Sequence, residues 1–375
     1  MNFLNNLHIR TRLLLAVLIP VLITAATVAW ISVSQIQTNE EAELKRLQSS
    51  LLDARKAGLK NLIDAAKAVF DGENTLERLR GIVAGEKVSD IWGQFAELGL
   101  FGIMAPESAG GLEQDLSVMA GIAEAAGYAG LPEPLVELAG ISVPLLKQMG
   151  EDDALAQVVA GKLPLGILTP GLGYNNQAQY CEKFIVANAG GGKLIGKSDV
   201  DLTPVKSIDP LRSISKASVK GERNALADHH GAVLSAAQLL GLSARMIDMS
   251  VEYAKDRHQF GKPIGSFQAI KHHLASAYTQ VEFARPLMQL AALKPGRAVH
   301  EAKVAAIDAA VLTAETAIQV HGGMGYTFEV DLHLFMKRAW ALCAEWGDRN
   351  YHMKKLEDLI LNGDAQIGAG TTFAA

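Results

Sequence analysis

Tyr253-Ala-Lys-Asp-Arg257-His-Gln259-Phe260-Gly261-Lys-Pro-Ile-Gly265-Ser-Phe-Gln268 joins two long helical patterns and decides the fold. Upstream, Ala232 to Tyr253 is nearly free of helix breakers. Downstream, residues 266–292, residues 298–320 and a segment from about His333 keep the helical period. Long helices with short connections predict an antiparallel four-helix bundle over residues 223–362. A second string, Gln319-Val-His321-Gly322-Gly323-Met-Gly325-Tyr326-Thr, ends the third of these helices. Because it follows a helix rather than a strand, it is not a Rossmann fingerprint.

Working towards the N-terminus, residues 160–222 change character. Leu163–Leu168, Phe184–Ala189, Lys193–Lys197 and Ile214–Val219 are short apolar runs broken by Gly, Pro, Asn and Asp. They predict strands of a small β domain. Residues 73–159 read as a helical domain, with Trp92, Phe95 and Leu98 on one helix and Met119, Ile122 and Ala126 on another. Asp71-Gly72 is a turn signal and marks the expected junction with residues 37–72, a charged amphipathic helix. The tail, 363–375, is small and polar and is expected to fray. The expected fold class is mainly α with a small central β domain.

Residues 1–36 stand apart. Leu13 to Val33 carries no charge, and about 20 such residues cross a bilayer as a helix. A transmembrane helix is the first reading. A signal peptide, whose apolar core is usually shorter, and a buried core helix are the others. Arg10 and Arg12 before the run, and Glu40, Glu41 and Glu43 after it, orient the N-terminus to the cytoplasm and residue 35 onward outside.

Composition excludes other classes. Apolar residues make up 49% and charged residues 20% of 375, which suits a folded chain with a sizeable core. A net charge of −5, with no basic tract interleaved with aromatics, argues against nucleic acid. Cys181 and Cys343 stand in no CxxC pattern, so neither a disulfide framework nor a cysteine zinc site is expected. His229-His230 and His272-His273 are adjacent pairs, and neighbours on a helix do not share a metal-binding face. No metal site is expected.

The chemistry of the two strings suits a dinucleotide. Arg257 offers a planar fork that grips phosphate at two points. Gln259 and Gln268 can donate from side-chain amides, and Phe260 offers a face for a ring. Gly322 and Gly323 let backbone N–H groups approach a ligand closely, since no Cβ intervenes. Taken as residues alone, Arg257 serves as well for a helix-end cap or a surface ion pair. The glycines serve as well for a helix stop.

Together and in this order, the two strings resemble the acyl-CoA dehydrogenase family, and the helix–strand–bundle order of 73–361 agrees. The resemblance implies FAD as cofactor and an acyl-CoA thioester desaturated between Cα and Cβ. It implies a homo- or hetero-oligomer, with electrons passing to an electron-transfer flavoprotein or similar acceptor. It implies that Arg257, Gln259, Phe260 and Gln268 meet FAD bound to a neighbouring subunit, held also by Gln319, Gly322 and Gly323. The family's reaction needs a carboxylate base, desolvated so that its pKa rises.

Here the sequence departs from the family. Counting from Lys337-Arg338-Ala339, the usual base position falls on Trp346, with Glu345 one residue early. The family's second base location falls on Gly231, with Asp228 the nearest carboxylate. Glu345 is therefore the candidate base, or else a solvated or ion-paired glutamate. Leu131-Pro132-Glu133-Pro134-Leu135 is similar to divergent bacterial subunits that work as unequal pairs, in which a partner carries the base. Two functions follow as expectations: a dehydrogenase subunit, alone or with a partner, and a noncatalytic binding subunit of such a pair.

The N-terminus carries a different resemblance. NNLHIRTRLLLAVLIPVLI followed by LLDARKAGLKNLIDAAKAV is similar to the start of a bacterial chemoreceptor with a small sensor domain. A receptor fragment is thus a third reading. The helix implies an inner-membrane location, while the family implies that the dehydrogenase portion works in the cytoplasm. Residues 1–70 are accordingly expected to be foreign to the dehydrogenase, with 73–375 folding without them.

Overall fold

The computed structural model describes residues 60–176, 178–217 and 219–362. The segment 13–33, the chemoreceptor-like string up to residue 59 and the tail lie outside the described residues. Among the described residues, no helix is long and apolar enough to cross a membrane.

The first described helix, α1, runs through 60–73. The turn expected at Asp71-Gly72 is therefore helix. The reason is burial. Ala66 and Phe70 are fully buried, and the Phe70 ring meets Phe95 edge to face at 5.8 Å. Asp71 and Gly72 are exposed and continue the same helix.

Short helices follow: α2 (Leu76–Ala84), α3 (Trp92–Glu97) and α4 (Leu116–Ala129). Asp115 caps α4 by accepting from the Ser117 and Val118 amides. Then α5 (Leu135–Glu137) runs through a π turn, Leu138–Ser142, into α6 (Val143–Met149), and α7 (Asp152–Val159) closes the domain.

The β domain holds two three-stranded sheets. In one, β1 (Leu165–Leu168) pairs parallel with β3 (Lys183–Asn188), which pairs antiparallel with β4 (Gly191–Gly196). In the other, β6 (Ile214–Lys216) lies between β2 (Tyr174–Asn176) and β5 (Thr203–Val205), antiparallel to both. Leu168, Ala178, Cys181, Phe184 and Ala217 form their shared core. Strands β2 and β5 are three residues each and carry no apolar run, which is why the sequence pattern misses them.

The bundle is α8 (Ala225–Asp256), α9 (Gln268–Leu293), α10 (Arg297–His321) and α11 (Leu332–Ala344), followed by α12 (Arg349–Leu361). Asn224 opens α8 by accepting from the Ala227 amide at 3.0 Å. Helix α4 lies against α8 at backbone distance. A Cβ on Gly241 would stand 1.9 Å from the Glu124 carbonyl oxygen, and one on Gly127 would stand 2.2 Å from that of Gln238. Only glycine permits this crossing.

Candidate active site

Helices α8 and α10 run in the same direction, so their C-terminal ends share one end of the bundle. The Tyr253 ring stacks on the His321 imidazole there, with centroids 4.3 Å apart. Beyond Arg257, a two-stranded hairpin, β7 (His258–Gln259) with β8 (Lys262–Pro263), turns through Phe260 at φ 53° and Gly261 at φ 81°. Beyond His321, Gly322 takes φ 61°, and no atom lies within 4 Å of where its Cβ would be.

The structure thus brings the two strings together. Arg257, Gln259, Phe260, Gln268, Gln319, Gly322 and Gly323 are all exposed. Phe260 is 92% exposed, with Tyr326 at 78% and Phe328 at 76% nearby in sequence to the glycine turn. Large exposed aromatics beside an unobstructed backbone are the composition of a surface made to be covered.

A second feature lies where β1 and β2 approach the end of α11. A cavity of about 290 Å³ runs between Leu165, Ile167 and Asn175 on one side and Ala341, Ala344 and Trp346 on the other. Glu137, Arg212 and Glu345 also line it. Polar atoms in its wall lack protein partners: Asn175 Oδ1, Asn176 Oδ1 and Arg212 Nε. Buried polar groups seldom stay unpaired. A flat ring carrying both carbonyl oxygens and an N–H, as isoalloxazine does, would supply what these atoms need. The residues present therefore fit a flavin.

Arg212 is the centre of the wall. Its Nη2 is 2.5 Å from Glu345 Oε1 and 3.6 Å from Glu137 Oε1. Burial works against its charge, but Glu345, Glu137 and Asp209 outweigh burial and push its pKa up. Arg338 lies 3.6 Å from the same Asp209, and its pKa is lowered by burial. Sequence reasoning missed Arg212 and Glu137, because neither belongs to a long periodic pattern and the cluster joins the end of α5, the loop before β6 and the end of α11.

The two base positions face each other. The Trp346 indole, 5% exposed, lies on Gly231, where an added Cβ would stand 2.0 Å from the ring. Trp346 itself sits at φ 56°, a left-handed conformation unusual for so large a residue. Asp228 is turned away, ion-paired to Arg223 at 2.7 Å. His229 and His230 bond to separate carbonyls, of Ala291 at 2.8 Å and Gly140 at 2.7 Å. In the Leu131–Leu135 string, Glu133 pairs with the buried Arg78.

A helical domain, two small sheets and a helix bundle, with a cavity lined by sheet and bundle residues whose unpaired polar atoms suit a flavin, make up the architecture. Comparison with known proteins is decisive. Residues 60–161 match the acyl-CoA dehydrogenase N-terminal domain model and residues 227–358 the C-terminal domain model. The chain is 32% identical over 271 residues to the acyl-CoA dehydrogenase IpdE2 of Mycobacterium tuberculosis, covering 70% of this chain and 84% of that protein. It superposes on a chain of the ChsE4–ChsE5 complex of the same organism with a TM-score of 0.72 at 22% identity, covering 82% of this chain and 98% of that one. It superposes on PigA, solved with FAD and proline, with a TM-score of 0.69 at 19% identity, covering 82% and 98%. The chain belongs to the acyl-CoA dehydrogenase family. It is a subunit of a flavin-dependent acyl-CoA oxidoreductase, with FAD as cofactor.

Proposed function

We propose that this chain is the base-lacking subunit of a heteromeric acyl-CoA dehydrogenase, completing a flavin site whose carboxylate base stands on a partner chain. The observation that carries this reading is the Trp346 indole on Gly231. Both family positions for a base are occupied, and neither holds a carboxylate. The indole also fills the space a thioester would need. Glu345 is adjacent, but its Oε1 is committed to Arg212, so the carboxylate serves as counter-ion to a buried guanidinium rather than as a base.

In α,β-desaturation a base takes the α proton while hydride leaves Cβ, and FAD, when bound, accepts that hydride. This chain's contribution is to bind and orient. Arg257 would hold the diphosphate by charge-assisted hydrogen bonds. Phe260 would cover a ring, and Gln259, Gln268 and Gln319 would donate around it. Gly322, whose own amide caps α10 by donating to the Gln319 carbonyl, and Gly323 would give phosphate oxygens room against the backbone, since no Cβ intervenes. All seven face outward, so the flavin they serve is held by a neighbour. That a chain of the ChsE4–ChsE5 complex shares this fold is consistent with a two-chain assembly. The onward acceptor in this reading is an electron-transfer flavoprotein. The 13–33 segment would tether the complex to the inner membrane.

The test is anaerobic titration with acyl-CoA thioesters, followed by flavin absorbance. The chain alone, supplied with FAD, should show no bleaching. A complex with a base-carrying family member should bleach. Bleaching by the lone chain would overturn the reading.

A further inference from the structure

Lys303 is fully buried in the second turn of α10, and no carboxylate within 4 Å pairs with it among the described residues. Burying an ammonium without a counter-ion is costly, so its hydrogen bonds need an account. Its Nζ donates to Ser235 Oγ on α8 at 2.7 Å and to the Leu342 carbonyl on α11 at 3.0 Å. That carbonyl also accepts from the Glu345 amide, the bond that ends α11. Lys303 therefore fixes the last turn before the segment that carries Trp346.

A second anchor comes from α12. His352, 1% exposed, places Nε2 3.1 Å from the Trp346 carbonyl oxygen. A carbonyl only accepts, so Nε2 carries the proton and Nδ1 is bare. Nδ1 then accepts from His300 Nδ1–H at 2.8 Å, which sets the tautomer of both rings. Gly347, at φ 104°, has no room for a Cβ: one would meet the His352 ring at 2.7 Å. A tryptophan in the left-handed region persists only where its surroundings over-determine it. Here the surroundings are these two donors.

We propose that Lys303 and His352 are positioning residues that hold Trp346 over Gly231, so that closure of this chain's acyl pocket is actively maintained. The inference rests on the reading of Trp346 as the group that fills that pocket. It concerns what keeps the group there, and no step of the reaction passes through either residue.

The test uses the full chain labelled with fluorotryptophan and observed by fluorine NMR, with the Trp346 line assigned by its loss in Trp346→Phe. Lys303→Met and His352→Leu should each shift the Trp346 line towards that of solvent-exposed tryptophan and leave the Trp92 line in place. His352→Gln keeps a donor where Nε2 stands and should return the line to its original position. If Lys303→Met does not fold, the Leu and Gln variants at position 352 decide alone. An unmoved Trp346 line in His352→Leu would overturn the proposal, as would all tryptophan lines moving together. The readout needs neither flavin nor partner. Turnover by the lone chain would sink the base-lacking reading and the closure with it, whereas an unmoved Trp346 line would sink only the roles of Lys303 and His352.

Discussion

The Tyr253 ring and the His321 imidazole stack with centroids 4.3 Å apart and planes 27° from parallel. Four residues past the first ring is the Arg257 guanidinium, and directly past the second is Gly322. Two motifs distant in sequence are thus fixed at one end of the bundle by one ring contact. The contact sets an exposed guanidinium beside a glycine turn on which no side chain intrudes.

Arg257→Ala should strip flavin from the assembled complex. Charge-assisted bonds to phosphate are worth about 1.5–3 kcal/mol, or roughly tenfold to a hundredfold in FAD affinity. Because Arg257 is exposed, the thermal midpoint of the chain alone should stay within about a degree, as surface changes usually cost little. Flavin-to-protein stoichiometry and a melting curve, measured on the same samples, check both halves.

Gly241→Ala should destabilise the fold without touching either site. Its Cβ would meet backbone, the Glu124 carbonyl, at 1.9 Å. Backbone cannot rotate away, so α4 and α8 must separate. Overpacking of this kind costs about 1–3 kcal/mol. Urea unfolding should show a lower midpoint, and an unchanged midpoint would refute the close crossing.

Acid should weaken the fold through histidines. Burial, helped by Lys303 and His300, pulls His352 down from 6.5 to about 3. Burial likewise pulls His230 down from 6.5 to about 4. Both stay neutral in the folded chain while the unfolded chain protonates near 6.5. Between those values the unfolded state binds more protons, so stability falls as pH falls. By pH 5 the loss is roughly 2 kcal/mol per histidine. Unfolding midpoints at pH 7 and pH 5 measure it, and His352→Gln should flatten the slope.

A chain starting near residue 60 should fold, and one starting near Glu73 should not. The shorter form loses Ala66 and Phe70, both fully buried. It also loses Ile63, whose Cδ1 lies 2.4 Å from where a Cβ on Gly121 would be. Removing a buried phenylalanine alone costs roughly 3–5 kcal/mol. Soluble expression and circular dichroism of the two truncations separate the cases.

Much of this was legible in the sequence, for physical reasons. The bundle helices announce themselves by period, and Gln268–Leu293 falls within two residues of its expected bounds at each end. The Tyr253–Gln268 and Gln319–Tyr326 strings stand out because arginine suits phosphate and glycine allows backbone approach, and the structure sets them at one end of the bundle. What stayed hidden depends on distant partners. Arg212 becomes the centre of a cavity wall only when loop 209–213 folds against α11. The stop expected at Asp71-Gly72 fails because Phe70 is buried beside Phe95. Lys303 resembles a solvated helix charge, yet it takes its place in the apolar spacing Val299, Lys303, Ala306, Ala310. That spacing was the available signal for a buried lysine.

The structure of the FAD-loaded, assembled complex tests the central claim most directly. The account predicts Arg257 within about 3 Å of a diphosphate that packs on the Gly322–Gly323 backbone and whose flavin ring is seated in the adjoining chain. A flavin held wholly within one chain, with Arg257 facing solvent, would contradict it.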